Sequence, residues 1–324
     1  MDGILMNENS SSEKTPVLSV KNLYKSFGNK TVLKGVSFDV YKGEIFGLLG
    51  PNGSGKTTTI KLALGLLGID RGSVEICGYD ISKNFEKAIR NVGAIIENPE
   101  LYKYLSGREN LMQCYRMYDD IKPETVEWAI ESVGLKNRID EKVSRYSLGM
   151  RQRLGIAQAI IHSPRILVLD EPTNGLDPEG IKQFREFLVY LAHEKGVSVL
   201  ISSHLLAELD AFCDRVAVIN SGKVIGIKTI EEIRNGEVDG DKQGYNYKIS
   251  VDNCQTAEAF FKEKEIPYRL TFEGAFEISI GDNKDEIIFE LVKRDVHFNS
   301  FAPIERTLED AFIEMVNESG GSKI

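Results

Sequence analysis

The sequence predicts an α/β protein whose core is a largely parallel sheet, with a small α+β domain after it. Short apolar, β-branched runs of strand length alternate with helical patterns as far as about residue 228, which is typical of parallel sheets covered by helices. Between about 98 and 163 the strand runs stop and only helical patterns remain, which indicates a helical insertion in the core. After residue 228 the composition shifts toward glycine and charge, and shorter strands and helices follow, so a second domain is expected there.

The size and net charge of the chain indicate which kinds of function are compatible with it. Its 324 residues suggest about two domains, and its 42% hydrophobic and 27% charged residues are typical of a globular protein. The formal net charge of -9 disfavours general binding of nucleic acid, because the phosphate backbone requires a surplus of lysine and arginine. A nucleotide site is still compatible with this charge, since a few donors are enough for one phosphate chain.

Neither disulfides nor membrane spans are expected. The four cysteines form no CxxC pair and no regular spacing, so free thiols in a reducing cytoplasm are expected. No run approaches the ~20 apolar residues of a membrane-spanning helix. Residues 1–16 are polar and rich in serine, asparagine and glutamate, so we expect a disordered tail and not a signal peptide. A role at a membrane would therefore require a partner.

The elements of the two domains follow from the periodicity of apolar residues. For the first domain, 17–228, the predicted strands are 17–21, 36–41, 44–49, 92–96, 166–169, 197–202 and 216–219. Its predicted helices are 57–67 and, in the insertion, 108–118, 123–133 and 148–161. A linker rich in glycine and charge is predicted over 229–244. The second domain, 245–324, has predicted strands 245–251 and 276–280 and helices 256–264, 284–294 and 307–316.

A phosphate-binding loop is predicted between the strand 44–49 and the helix after it. Residues 50–57, GPNGSGKT, match GxxxxGK[ST] in a strand–loop–helix setting, for which a chance glycine-rich turn is the alternative. The glycines let backbone N–H groups turn toward phosphates, and the helix N-terminus adds partial positive charge. Lys56 is placed to reach the β- and γ-phosphates, and Thr57 offers a hydroxyl to Mg²⁺. The nucleotide-binding residues assigned here are Gly50, Pro51, Asn52, Gly53, Ser54, Gly55, Lys56, Thr57 and Thr58.

Two carboxylates follow the buried strand pattern 166–169. Asp170 and Glu171 come directly after four apolar residues, so the strand would deliver both to the edge of the sheet. Asp170 is suited to hold Mg²⁺ through its water shell, and Glu171 is suited to polarise the attacking water. The pattern alone also fits an ordinary strand end. Together with the phosphate loop it indicates nucleotide hydrolysis.

The segment before this strand carries a third motif, which limits the families of phosphate-loop proteins that the chain could belong to. The residues YSLGM at 146–150 precede a basic helix that begins RQRLG, and this resembles the signature motif of ABC ATPases, LSGGQ followed by a basic helix. Only Ser147 and Gly149 match the five-residue motif strictly, and alone the segment fits a serine-capped amphipathic helix. The order and spacing of all the motifs resemble the ABC family over about 17–228. That resemblance implies a P-loop NTPase fold of ABC type, with a mixed sheet core and a helical subdomain at about 98–163.

The resemblance implies further site residues. Phe27 stands where the family has an aromatic residue that stacks on adenine, and Asp177 ends the segment NGLD, which resembles the loop that crosses the dimer. His204 follows a strand and is similar to the switch histidine, which contacts the γ-phosphate and holds the geometry of the catalytic glutamate. For a lone phenylalanine or histidine, a core or a surface position is the alternative. The catalytic pair implied is Glu171 and His204.

The resemblance also implies an assembly. Two copies, or this chain and a paralogous ATPase subunit, would face each other head to tail. They would hold ATP and Mg²⁺ between the phosphate loop of one chain and Ser147 and Gly149 of the other. The helical insertion would contact a transmembrane permease subunit on the cytoplasmic face of a membrane, and hydrolysis would open the dimer.

Glu97 departs from the family pattern. Most ABC ATPases have a glutamine after the strand that 92–96 represents, whereas this chain has Glu97, and no glutamine occurs before Gln113. A carboxylate there would bind Mg²⁺ more strongly than an amide but would oppose the charge of the triphosphate. A solvent-facing loop residue is the alternative. Glutamate at this place, and the segment TLEDAF at 307–312, resemble exporters for bacitracin resistance and lantibiotic self-immunity.

Other functions stay open beside peptide-antibiotic export. One is export of an unrelated drug or lipid. Another is a non-transport ABC ATPase, although translation-associated types usually hold two cassettes and DNA-associated types carry a coiled coil longer than the insertion at 98–163 allows. A binding module that has lost catalysis is disfavoured, because Lys56, Asp170, Glu171 and His204 are all present.

Overall fold

The computed structural model describes residues 15–234, 247–271, 274–281 and 284–303. Within these residues the chain forms two compact units, one ending at Ile230 and one beginning at Glu231. Three predicted features lie wholly or mostly outside the described residues. They are the tail 1–16, the linker from residue 235 on, and the helix 307–316 with its segment TLEDAF. None of the described helices is long and apolar enough to cross a membrane.

Up to residue 234 the described chain forms ten strands and eight α-helices. In chain order the strands are β1 (Leu18–Phe27), β2 (Lys30–Val40), β3 (Ile45–Leu49), β4 (Arg71–Ile76), β5 (Tyr79–Asp80), β6 (Val92–Ile96), β7 (Ile166–Asp170), β8 (Ser198–Ser203), β9 (Arg215–Asn220) and β10 (Lys223–Thr229). The helices are α1 (Lys56–Ala63), α2 (Phe85–Ile89), α3 (Gly107–Tyr115), α4 (Pro123–Ser132), α5 (Leu148–Ile160), α6 (Pro178–Val189), α7 (Leu206–Asp210) and α8 (Ile230–Arg234).

A six-stranded sheet in the order β10-β9-β3-β8-β7-β6 forms the centre of the first unit. All neighbouring pairs are parallel except β9 and β10, which are antiparallel. Every residue of β3, β7 and β8 is buried, which is why each contains an apolar run and none shows the alternation of a half-exposed strand. Because parallel strands end at the same edge, the segments after β3, β7 and β8 lie together there. The predicted mixed-sheet core is confirmed.

A second, antiparallel sheet in the order β2-β1-β4-β5 belongs to the same unit. Here β1 and β2 are much longer than the predicted strands 17–21 and 36–41, and they pair over almost their whole length. Three register shifts between them interrupt the alternation of buried and exposed residues, so the period-two signal stops early. The strands β4 and β5 were not predicted, because they are short and partly exposed.

The helical insertion contains α3, α4 and α5, as predicted. Ser106 and Glu109 form a reciprocal capping box at the start of α3. The helix α5 packs closely on the edge strand β6, because a Cβ added to Gly93 would lie 2.0 Å from the carbonyl oxygen of Ala159. The helix α1 ends at Ala63, before the predicted end at residue 67, since Gly65 adopts a left-handed φ of 67°.

The second unit forms a small α+β fold. Its described elements are β11 (Tyr247–Val251), α9 (Cys254–Glu263), β12 (Tyr268–Leu270), β13 (Phe276–Ile278), α10 (Lys284–Lys293) and β14 (Phe298–Pro303). The sheet order β12-β13-β11-β14 is wholly antiparallel, which is the split βαβ, ferredoxin-like arrangement. Phe260, Phe261 and Phe276 fill its core. The predicted linker begins as regular structure, since residues 229–234 are the end of β10 and the helix α8.

Candidate functional site

The loop between β3 and α1 has the geometry of an anion cradle. Gly53 and Gly55 adopt left-handed φ angles of 81° and 113°, which only glycine reaches without strain. A Cβ on Gly50 would lie 2.2 Å from the carbonyl oxygen of Ile219, so this position also requires glycine. The helix α1 has neither an acidic residue in its first turn nor a capping side chain. Its first N–H groups therefore keep their capacity to bind an anion.

Lys56 is buried beneath this loop. Its side chain is 5% exposed, its Nζ donates to the carbonyl oxygen of Gly50 at 2.7 Å, and it lies 3.3 Å from Oε1 of Glu171. A cavity of about 480 Å³ opens beside it. The cavity is lined by Lys30, Thr31, Val32, Lys34, Asn52, Gly53, Gly55, Lys56, Thr57, Thr58, Glu171 and Ser221. The sheet edge thus brings the predicted phosphate loop and Glu171 into one site.

Asp170 and Glu171 are held at the end of β7 by Ser202 on the neighbouring strand. The Ser202 hydroxyl donates to Oδ1 of Asp170 at 2.6 Å and accepts from the backbone N–H of Glu171 at 2.9 Å. Glu171 has a φ of 46°, an uncommon conformation for a residue other than glycine. That backbone turn directs the two neighbouring carboxylates to different partners.

Glu171 lies at the centre of a polar cluster. Its Oε2 is 2.9 Å from Nδ1 of His204 and accepts a hydrogen bond from the side chain of Asn174 at 3.0 Å. Partial burial raises the pKa of Glu171, but the hydrogen bond from Asn174 and the proximity of Lys56 and His204 outweigh this effect. The net pKa lies below its ordinary value. At neutral pH the group is therefore a carboxylate and a competent proton acceptor.

The donor set suits a magnesium ion that is shared with phosphates. Among the described residues, no cluster of three or more His, Cys, Asp or Glu side chains could hold a metal alone. Mg²⁺ commonly takes one or two protein ligands and completes its shell with water and substrate phosphates. Thr57 in the cavity and the buried Asp170 fit that pattern. The buried Ser54 hydroxyl has no hydrogen-bond partner within the described part of the chain, which also fits a loop that closes around an anion.

Ser147 and Gly149 lie at the start of α5, away from this cavity. Ser147 is the N-cap of α5, and its Oγ accepts from the backbone N–H of Met150 at 3.2 Å. Asp177 likewise caps α6, accepting from the N–H of Gly180 at 3.1 Å. Within the part of the chain that the structure describes, none of Ser147, Gly149 and Asp177 lines the phosphate-loop cavity. One chain alone therefore does not join these residues to the phosphate loop.

Phe27 and Glu97 are both exposed. Phe27 ends β1 with 49% of its surface accessible, and Nζ of Lys25 lies 5.6 Å from the centre of its ring. Glu97 follows β6 with a φ of 63°, and its side chain, 69% exposed, lies 3.3 Å from Nζ of Lys61 on α1. The described lining of the cavity includes neither residue. Their predicted contacts with adenine and metal remain predictions.

Several residues of the site have no sequence signal of their own. Asn174 contacts Glu171 through a local turn three residues later in the chain. Ser202 contacts Asp170 and Glu171 because β8 lies in register beside β7. Lys30 and Lys34 reach the cavity from β2, and Ser221 reaches it from the turn before β10. A spacing pattern around the phosphate loop could not have identified these three, because antiparallel pairing brings them there from distant parts of the chain.

The chain has close relatives among known proteins. Residues 33–174 match the family model described as ABC transporter. The ABC transporter ATP-binding protein YhcH of Bacillus subtilis (strain 168) is 42% identical over 304 residues, which cover 94% of this chain and 97% of that protein. The bacitracin transport ATP-binding protein BcrA of Enterococcus faecalis is 36% identical over 309 residues, covering 94% and 97%. A solved ATP-binding subunit of an ABC transporter superposes with a TM-score of 0.62 at 32% identity, covering 68% of this chain and 93% of that one.

Proposed function

This chain belongs to the ABC transporter ATP-binding proteins, and from that premise we propose that it hydrolyses MgATP to drive export through a separate membrane permease. The proposal that the chain hydrolyses ATP rests on the position of Glu171. Its carboxylate contacts both the phosphate-loop lysine, Lys56, and His204 at one edge of the sheet. A base beside the phosphate-binding lysine is the arrangement that attack of water on a terminal phosphate requires.

The roles of the individual groups follow from this geometry. The N–H groups of the phosphate loop and Nζ of Lys56 bind the β- and γ-phosphates, which replace the carbonyl oxygen of Gly50 and Glu171 as partners of that lysine. Glu171 accepts the proton of the attacking water, and His204 holds the carboxylate in place. Thr57 and Asp170 would hold Mg²⁺, which supplies charge neutralisation on the phosphates. Phe27 would stack on the adenine.

The hydrolytic unit is a dimer. Ser147 lies exposed at the start of α5, where the helix presents backbone N–H groups to solvent. A γ-phosphate bound to the phosphate loop of one copy would reach Ser147 and Gly149 of a second copy, with Asp177 at the junction. ATP then binds the closed dimer better than the open monomers, and its hydrolysis releases the dimer. A paralogous ATPase subunit in place of the second copy would preserve the same chemistry.

The assembly is tested with the purified wild-type chain. Phosphate release should depend on Mg²⁺ and ATP, and its rate should rise steeply with protein concentration because two copies form each site. Light scattering with a slowly hydrolysed ATP analogue should show a dimer, and Ser147→Arg should abolish both the dimer and the hydrolysis. A chain that stays monomeric while it hydrolyses ATP at an unchanged rate would contradict the sandwich.

The transported substrate is proposed to be a peptide antibiotic of the bacitracin or lantibiotic type. The name of the Enterococcus faecalis relative, a bacitracin transport protein, supports this class, as does the glutamate at position 97. The permease would place the chain on the cytoplasmic face of the membrane. Co-purification with a membrane protein, and loss of bacitracin tolerance when the chain is deleted, would support the proposal. Co-purification with ribosomes or DNA would favour a non-transport ABC ATPase instead.

Glu97 is proposed to link the metal site to the permease. We expect Glu97→Gln to alter transport for each ATP hydrolysed, because the amide loses the charge that contacts Lys61 and that would face Mg²⁺. Hydrolysis and drug efflux are measured together in vesicles that contain the permease, with Glu97→Ala beside Glu97→Gln. Glu100→Gln, in the same loop, is the control for a general loss of charge. Full coupling in both Glu97 variants would contradict the role.

A further inference from the structure

The short helix α7 carries a carboxylate, Glu208, that forms hydrogen bonds with two segments of the site. Oε2 of Glu208 accepts one hydrogen bond from the Ser203 hydroxyl at 2.6 Å and another from the Thr173 hydroxyl at 2.9 Å. Thr173 lies two residues after Glu171, and Ser203 directly precedes His204. A single oxygen atom therefore bridges the loop that holds Glu171 and the loop that holds His204.

The hydroxyl groups of Ser203 and Thr173 have few other partners for their protons. A serine hydroxyl has one proton to donate, and the shortest contact of Ser203 is the one to Glu208. The same oxygen of Ser203 accepts from the backbone N–H of Leu205 at 3.0 Å. Thr173 and Ser203 are 4% and 2% exposed, so neither hydroxyl has bulk water as an alternative partner. If the carboxylate were removed, the Thr173 hydroxyl would lose this acceptor, and Ser203 would keep only the longer contact with the carbonyl oxygen of Leu205 at 3.2 Å.

The bridge is itself firmly anchored. Leu206 and Leu209, on either side of Glu208 in α7, are buried, so the helix is fixed to the unit and the carboxylate cannot simply follow a loop that moves. The Glu171 backbone has a left-handed φ of 46°, a conformation that persists only when its surroundings hold it. Ser202 holds its N–H group, and Glu208 holds the chain two residues later.

We propose that Glu208 is a positioning residue for ATP hydrolysis, which keeps Glu171 and His204 in contact by clamping Thr173 to Ser203. The inference rests on the proposed function, because it assumes that Glu171 is the base. Glu208 acts through its two hydroxyl partners and is not among the described residues that line the phosphate-loop cavity. Its contribution should therefore appear in the chemical step and leave nucleotide binding unchanged.

The test compares Glu208→Ala with Glu208→Gln in the full chain. Alanine removes both hydrogen bonds, and we expect kcat for ATP hydrolysis to fall about 10- to 100-fold, the scale of a small misplacement of a catalytic group. The KM for ATP and the Kd for a fluorescent ATP analogue should change by less than about twofold. Glutamine keeps an oxygen with two lone pairs, so it should restore kcat to within about threefold of wild type. Glu86→Ala, an exposed glutamate on α2, is the matched control.

A second arm shows whether the effect passes through Glu171. In a Glu171→Gln background, Glu208→Ala should cause no further loss of kcat, because residues that act as a unit are not additive. Thr173→Val, which keeps the shape of the side chain and removes its hydroxyl, should reproduce a fall in kcat even if Glu208→Ala does not fold.

The outcomes separate this inference from the proposed function. Wild-type kcat in Glu208→Ala and Thr173→Val, with Glu171→Gln inactive, overturns the clamp and leaves the catalytic role of Glu171 intact. Equal losses of affinity and kcat in Glu208→Ala, or a full additional loss in the Glu171→Gln background, also overturn it. Unchanged turnover by Glu171→Gln would remove the proposed base, and the clamp would fall with it.

Discussion

Replacing Glu171 by glutamine should lower kcat for ATP hydrolysis by about 10²- to 10⁴-fold, the range typical of lost general base catalysis, while ATP still binds. An amide keeps the size of the side chain and its hydrogen bond from Asn174, but it accepts no proton from water. Because hydrolysis no longer breaks the bridge between the two copies, the dimers formed with MgATP should persist. The effect is measured by phosphate release and by light scattering of the same samples.

The control for this substitution is Glu179→Gln, on the neighbouring helix α6, where the exposed side chain accepts a hydrogen bond from Gln183 at 2.8 Å. It should keep wild-type turnover. Rapid hydrolysis by Glu171→Gln would remove Glu171 from the catalytic role, and short-lived dimers in an inactive variant would separate hydrolysis from dimer opening.

The pH dependence of turnover should follow the same carboxylate. The pKa of Glu171 lies below its ordinary value, because Asn174, Lys56 and His204 together outweigh the effect of burial. The group works only when ionised, so turnover should persist through mildly acidic pH and fall as the pH drops through that lowered pKa. In Glu171→Gln this acid limb should be absent from the residual rate.

Replacing Lys56 by alanine should weaken ATP binding by about 10- to 150-fold, which corresponds to the roughly 1.5–3 kcal/mol of a hydrogen bond to a charged group. The ammonium group of Lys56 is a buried positive charge in the wall of the cavity and lies 3.3 Å from Glu171. Alanine leaves the loop backbone without its positive charge, so the triphosphate meets Glu171 without a counterion. Titration calorimetry with ATP measures the loss.

Lys42→Ala, in the exposed turn between β2 and β3, controls for the change in net charge. Circular dichroism of Lys56→Ala should show an intact fold, since the loop glycines that shape the backbone are unchanged. Unaltered affinity for ATP in a folded Lys56→Ala variant would count against the assignment of residues 50–57 as the phosphate-binding loop.

The family and the function of the chain could be predicted from the sequence because the main motifs are local. The pattern GxxxxGK[ST] encodes a turn, a helix N-terminus and a lysine within eight consecutive residues, so its meaning needs no knowledge of distant contacts. The resemblance to ABC ATP-binding proteins, which combined this motif with Asp170, Glu171 and Ser147, is confirmed by the relatives. The predicted α/β core with a helical insertion is also confirmed. It could be predicted because buried strands and long helices leave strong local patterns of apolar residues.

Partners that lie far apart in the sequence could not be predicted in this way. The length of the strand β2 was underestimated and the edge strands β12 and β14 were missed, because bulges and partial exposure erase the alternation that marks a strand. The contacts of Ser202 with Asp170 and of Glu208 with Thr173 join residues that are more than thirty positions apart. No spacing rule specifies such contacts.

The sequence by itself determined what each segment can do: wrap phosphate, accept a proton or begin a helix. Only the tertiary structure decided which of these groups meet, because parallel strands deliver their ends to one edge and the register between neighbours sets each contact. Glu171 lies within reach of Lys56 and His204 for that reason. Ser147, although equally recognisable in the sequence, lies apart from the phosphate loop within one chain, since its own helix presents it to solvent.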